Sequence, residues 1–255
     1  MAPYPGTYPA LVDWVSLMPE HHFFVTGTDT DVGKTTVTAA LALALDAEGG
    51  ITTSVMKPIQ TGCSTRSTGL DAPDLSFALQ LLTQKDTPDH APYRYIPACS
   101  PHLAAQEAQE TISTPIIVQS YARLCAKYDA LVVEGAGGVL VPINDDQSML
   151  DVMKLINIPI ILTARPGLGT INHSLLSIRV LQAAGLTVSG IVYVSTNASE
   201  WTAIEKDNVQ TISRISGVPC LGEIPYFPDL DLPAKAKPFL LEHGQQILKK
   251  IHTHG

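Results

Sequence analysis

The stretch FFVTGTDTDVGKTTVTAALALALDAEGG, residues 23–50, decides the fold. A short apolar run ends in a glycine-containing loop, an Ala/Leu-rich segment starts at Lys34, and Gly49 and Gly50 stand where a helix C-terminal cap is expected. The next run, SVMKPIQTG, is again apolar, so the three pieces read as strand, helix, strand. The alternation returns downstream. YDALVVEG and IPIILTA read as strands, NHSLLSIRVLQAAG as a helix, LTVSGIVYV as a strand, roughly residues 200–216 as a helix, and VPCLGEIP as a last strand. Continuous apolar runs of this length fit buried parallel strands. The pattern predicts one doubly wound α/β domain, a mostly parallel sheet flanked by helices, over residues 23–255.

Two regions depart from the alternation. Residues 1–22 carry four prolines and lack a basic segment followed by an apolar one, so they read as an appended N-terminal arm and not as a secretory signal. Between Thr61 and Pro115, prolines at 73, 88, 92, 97 and 101 interrupt the helical stretches, which predicts loops and short helices over one end of the sheet.

Composition narrows the partners. The 255 residues are 45% apolar and 16% charged, without the roughly 18-residue apolar run of a membrane span. Sixteen Lys and Arg against 24 Asp and Glu leave a net charge of −8, which opposes both nucleic acid and an anionic membrane. An anionic ligand therefore needs a local site. Cys63, Cys99, Cys125 and Cys220 lie far apart without metal-ligand spacing, and a reducing, cytoplasmic compartment is expected.

GTDTDVGKTT, Gly27 to Thr36, follows the first strand and opens the first helix, the setting a phosphate-binding loop requires. Backbone N–H groups of Asp31, Val32, Gly33, Lys34, Thr35 and Thr36 would face phosphate oxygens. Lys34 would bridge the β- and γ-phosphates, and the Thr35 hydroxyl would ligate Mg²⁺. Five residues separate Gly27 from Gly33, one more than in the common pattern. Asp31 would repel a triphosphate, so its carboxylate either faces a cationic substrate or serves the helix start.

Further candidates lie at strand ends. Lys57 can neutralise charge during phosphoryl transfer or be a solvated strand-end lysine. Asp74 begins a helix, where capping is the competing role. Glu134 ends the run ALVV before Gly135, Ala136 and Gly137, where a phosphate-loop protein keeps a metal-linked carboxylate. A buried carboxylate without a cation carries a desolvation penalty. In GLGTINHS, residues 167–174, exposed N–H groups at a helix start can receive a carboxylate; the competing reading is a glycine-rich connection capped by Asn172 or Ser174.

The ordered set TGTDTDVGKTT, KPIQTG, SPHLAAQE, VVEGAGG, LGTINHS and LGEIPYF resembles dethiobiotin synthetase over roughly residues 23–227. The resemblance implies ring closure of 7,8-diaminononanoate with CO2, using ATP and Mg²⁺, through a carbamate, its phosphorylation, and attack by the neighbouring amine. It implies that Lys34 and Lys57 stabilise the transferring phosphoryl group and the carbamate, and that Thr35, Asp74 and Glu134 arrange the metal. Asp31 would face the diamine and Thr61 would contact substrate. The nucleotide would also meet Gly135, Ala136, Gly137, Pro225 and Tyr226. A homodimer with shared sites is implied, the substrate carboxylate being received by Leu168, Gly169, Thr170, Ile171 and Asn172 of the opposite subunit. Where the family usually reads adenine with an Asn after the GIVYV strand, this chain has Val194 and Ser195, with Asn197 nearby. The rival class is a partition or positioning ATPase, which carries KGGxGKT in the loop; Asp29, Thr30 and Asp31 stand at those positions here.

Overall fold

The computed structural model describes residues 21–67 and 69–254. β1 (Phe23–Gly27) leads through the loop to α1 (Lys34–Ala47), and β2 (Thr53–Met56) follows. Next come β3 (Ile59–Gln60), β4 (Ser64–Arg66), β5 (Gly69–Asp71), α2 (Pro73–Leu81), β6 (Tyr93–Arg94), α3 (Pro101–Glu107) and α4 (Thr114–Cys125). The rest of the chain alternates regularly through β7 (Ala130–Gly138), α5 (Met149–Ile156), β8 (Ile160–Ala164), α6 (Thr170–Ala183), β9 (Val188–Val194), α7 (Ala203–Ser216), β10 (Cys220–Ile224) and α8 (Pro233–His254).

The main sheet has the order β10-β9-β8-β1-β7-β2, with every pairing parallel. From β1 the chain travels out to β2 at one edge, returns to β7, then crosses β1 and proceeds through β8 and β9 to β10. The direction reverses at β1, and ligands in such sheets bind beyond the carboxyl end of the strand at the reversal. Strand alternation divides the core into two layers. Val25, Val55 and Val132 pack with α1, α2 and α8, whereas Phe24, Met56, Leu131 and Val133 face α4 and α5. Leu162, Ile191 and Tyr193 meet α6 and α7.

Several boundaries differ from expectation for identifiable reasons. Pro73 and Pro101 start α2 and α3 instead of interrupting helices, because proline at a first helical position has no N–H to leave unpaired. α6 begins at Thr170, ahead of the expected Asn172, since Gly169 adopts the left-handed conformation just before it (φ 92°). β7 does not stop at Glu134. The residue pairs with Val25, and after a register shift Gly138 pairs with Gly27, so Glu134 lies in mid-strand. Of the expected arm, residues 1–20 lie outside the described residues. His22 is already packed, with Nδ1 2.7 Å from the Tyr121 hydroxyl and Nε2 3.1 Å from the Asp129 carbonyl.

Among the described residues no helix is long and apolar enough to cross a membrane. The apolar and basic tail is α8, which buries Ala236, Leu240, Ile247 and Leu248 in the α1 layer. Gly244 permits the close approach: a Cβ there would lie 2.0 Å from the Ala40 carbonyl oxygen and 3.1 Å from Ala44 Cβ. The backbone contact cannot be relieved by a rotamer change. Gly244→Ala should therefore separate α8 from α1 and cost about 1–3 kcal/mol, although alanine favours helix in isolation. An unchanged urea midpoint would contradict this packing account.

Candidate active site

The loop between β1 and α1 is shaped by its glycines. A Cβ on Gly27 would come within 2.7 Å of Val32 Cγ2 and 2.8 Å of the Asp29 carbonyl oxygen, so only glycine lets the chain turn back this tightly. The extra residue is accommodated with Asp31 and Gly33 both at positive φ, 54° and 94°. Val32 is buried as the anchor of the loop, while Asp31 is exposed. α1 has no side-chain cap and no acidic residue in its first turn. Its leading N–H groups, including those of Lys34, Thr35 and Thr36, are thus left for an anion. Lys34 donates to the Asp29 carbonyl at 2.8 Å. Burial, and then the charge of Lys57, bring its pKa down to about 8.

Four chain-distant groups converge beside this loop. Lys57 Nζ donates to Asp74 Oδ2 and to Glu134 Oε1, each at 2.6 Å, and the Thr35 hydroxyl donates to the same Glu134 oxygen at 2.9 Å. Glu134 is 2% exposed and Lys57 5%. The cation that Glu134 requires is therefore supplied by Lys57 itself, and Lys57 is not a solvated strand-end lysine. Burial opposes its charge, but Glu134 and Asp74 outweigh burial and hold the ammonium above its usual range. Burial likewise pushes the Asp74 carboxyl up, yet Lys57 and Gln60 bring it below the ordinary range. Capping does not explain Asp74: its side chain reaches Lys57 and Gln60, and α2 has no side-chain cap.

The donor set fits Mg²⁺. Two carboxylates and a hydroxyl beside a phosphate loop are the sparse protein ligation Mg²⁺ uses, with water and phosphate filling the remaining positions. Among the described residues no group of three His, Cys, Asp or Glu forms a fuller cage. Gln60 is a participant the sequence reading passed over, although it lies inside KPIQTG. Its amide nitrogen donates to Asp74 Oδ2 (3.2 Å) and the Thr61 carbonyl (2.8 Å), tying the expected substrate contact Thr61 to the carboxylate. Gly135, Ala136 and Gly137 continue β7 past Glu134, and a Cβ at Gly135 would crowd the Phe24 ring at 3.1 Å.

The remaining candidates stand apart from this cluster. Gly169 ends the loop after β8, Thr170 is buried, and Leu168 is fully exposed. Leu168, Gly169, Ile171 and Asn172 line an outward-facing cavity of about 480 Å³ with Leu175 and Leu176. Neither Asn172 nor Ser174 caps α6, so the capping alternative does not hold. Pro225 and Tyr226 are exposed beyond β10, and Phe227 beside them stacks on Phe239 of α8 at 4.3 Å. Val194 packs against the phosphate loop, where a Cβ on Gly33 would meet its methyl groups at 2.7 Å. The Ser195 hydroxyl donates to Glu223 (2.7 Å) and accepts from the Trp201 indole (2.8 Å), so its capacity is used internally. Asn197 closes a local turn with Ser199.

A doubly wound sheet, an open phosphate loop and a lysine shared by two carboxylates define a nucleotide-handling protein of the P-loop class. An AAA domain family matches residues 21–234. The chain is 38% identical to the ATP-dependent dethiobiotin synthetase BioD of Halalkalibacterium halodurans, over 82% of this chain and 86% of that protein. The BioD of Anoxybacillus flavithermus is 39% identical over 80% and 91%. The chain belongs to the ATP-dependent dethiobiotin synthetase family. Among solved structures, the Pyrococcus furiosus cell division ATPase MinD has 18% identity and a TM-score of 0.56, covering 93% of this chain and all of that one (100%). MinD from Pyrococcus horikoshii, complexed with Mg-ADP, has 18% identity and a TM-score of 0.52, over 91% and 93%. These structural likenesses show a common fold.

The lowered pKa of Lys34 gives a sign for the pH dependence of triphosphate binding. Its charged form predominates below about pH 8 and is lost as pH rises through that value. Affinity for ATP should accordingly weaken above about pH 8, with net proton uptake on binding there. Calorimetric titration across this range checks it, and persistence of the same alkaline limb in Lys34→Ala would assign the limb to another group.

Proposed function

We propose that this protein closes the ureido ring of dethiobiotin from 7,8-diaminononanoate, CO2 and ATP, in the cytoplasm, as a homodimer with shared active sites. The observation that carries the catalytic part is the convergence of Lys57, Asp74, Glu134 and Thr35 beside Lys34 and the open first turn of α1. The four free cysteines suit a reducing compartment.

The chemistry follows from where the charges are fixed. One substrate amine attacks CO2 to give a carbamate, the carbamate oxygen takes the γ-phosphoryl group of ATP, and the second amine attacks the carbamate carbon with loss of phosphate. Thr35, Asp74 and Glu134 are the residues that would hold Mg²⁺, which neutralises phosphate charge when bound. Lys57 stays protonated because two carboxylates flank it. It can meet charge developing on the carbamate and phosphoryl oxygens without being reoriented by solvent. Lys34 is the second cation, held by a loop carbonyl to which phosphate is the stronger competitor. Asp31 is exposed in the loop, and in this reading its carboxylate faces a cationic amine of the substrate. Phosphate release by the purified protein should depend on both the diamine and bicarbonate, and Lys57→Ala should reduce it by at least about 10²-fold. Release that ignores the diamine would reject the synthetase reading.

The shared site is argued from the cavity at the start of α6. Leu168 and Leu176 are exposed at 104% and 58%, and α6, like α1, begins at a left-handed glycine with no side-chain cap. A second copy would cover the apolar rim, while the helix N–H groups receive the carboxylate of a substrate bound at the partner's Lys57 cluster. Gly169→Val strains a backbone at φ 92° and should raise KM for the diamine while sparing ATP binding. Mixing Lys34→Ala chains with Gly169→Val chains should recover activity, because some heterodimers have one site free of both lesions. Verified heterodimers without recovery would mean each site is built within one chain.

A further inference from the structure

Behind Lys57 lies a buried polar chain that the phosphoryl-transfer chemistry does not use. The Thr87 N–H donates to His90 Nδ1 at 3.0 Å, so the ring proton resides on Nε2. That nitrogen is 3.2 Å from Ser54 Oγ on β2. The Ser54 hydroxyl donates to Gln84 Oε1 (2.7 Å), and the Gln84 amide nitrogen donates to the Thr53 carbonyl (2.6 Å). Every bond in the sequence has one donor and one acceptor with a neutral imidazole. The His90 ring is fully buried, and burial lowers its pKa despite Asp86; Asp89, Arg94 and Lys127 are the other charges around it, and the Tyr128 ring packs nearby.

This chain meets the active site through the backbone. The β2–β7 ladder ends at the pair Met56 and Val133, so Lys57 lies one residue beyond the sheet's own support. At that point the Lys57 N–H donates to the His90 carbonyl at 2.7 Å. The connection continues past it, with Tyr93 N–H donating to the Pro58 carbonyl (3.3 Å) and β3 pairing with β6. A rigid ring carrying one acceptor and one donor thus fixes the Thr87–His90 turn to β2, and that turn fixes the main chain from which the lysine projects.

We propose that His90 is a positioning residue for Lys57: the Thr87–His90–Ser54–Gln84 chain holds the His90 carbonyl where it anchors the Lys57 main chain and aims its ammonium between Asp74 and Glu134. The inference rests on the role given to Lys57 above. A lysine ammonium displaced by about 1 Å loses much of its value to a transition state, so loosening the anchor should act on turnover more than on nucleotide binding.

The test uses Ser54→Ala, His90→Gln and His90→Leu in the full-length protein, with Lys57→Ala as reference. Ser54→Ala and His90→Leu should lower kcat by about 10- to 100-fold, leave KM for ATP within about twofold, and speed hydrogen exchange at the Lys57 amide. His90→Gln keeps a donor that can reach Ser54 and should recover part of kcat. If His90→Leu fails to fold, Ser54→Ala, which retains the ring, decides alone. A folded Ser54→Ala protein with parental kcat overturns the proposal, whether or not its amide exchange changes. Parental turnover in Lys57→Ala would instead overturn the role of Lys57, which separates the two failures.

Discussion

A buried carboxylate on β7 needs a cation, and the fold supplies one from just beyond the end of the adjacent strand β2. Glu134 shares its Oε1 between Lys57 and Thr35, and Lys57 in turn reaches Asp74. The arrangement is weak support for stability, because desolvating such a group of charges costs about as much as their attraction returns. Its consequence is organisational. The sheet order inserts β7 between β1 and β2, which brings the residue after the phosphate loop, the mid-strand glutamate and the strand-end lysine to one crevice. Asp74 joins them from α2, and Gln60 keeps it there.

The helix starts are built in different ways. α5 and α7 are closed by capping boxes, Ser148 with Asp151 and Thr202 with Glu205. α1 and α6 instead begin at left-handed glycines without a side-chain cap. α2, α3 and α4 also lack a side-chain cap but open with proline in the first turn, which has no N–H to satisfy, so the left-handed glycine is what sets α1 and α6 apart.

The fold itself does not choose the activity. Cell division proteins and a ParA family ATPase share it at identities of 13–18%, and function resides in the site grafted onto such a scaffold. Here the loop carries Asp29, Thr30 and Asp31, and the neighbouring strand end carries Lys57. The Asp29 carboxylate accepts from the Thr30 N–H and lies 3.7 Å from Arg165.

The sequence by itself determined the doubly wound class and the phosphate loop with Lys34, and it pointed to Glu134, because strand and helix periodicity and the glycine spacing of a turn are local properties; site roles for Lys57 and Asp74 came from the resemblance to dethiobiotin synthetase. It could not distinguish a capping Asp74 from a site Asp74, nor show that Glu134 lies in mid-strand, since the first depends on Lys57, 17 residues away, and the second on the pairing of β7 with β1. For Glu134 the sequence points to a metal, whereas the cation beside it in the structure is Lys57, just beyond the end of β2. Gln60 and the His90 chain likewise left no local signature, as a glutamine in a short strand or a histidine in a turn has many uses. Only the tertiary fold decided theirs, bringing Asp74 to Gln60 and Ser54 of β2 to His90, because a buried donor or acceptor must find its partner wherever the fold brings one.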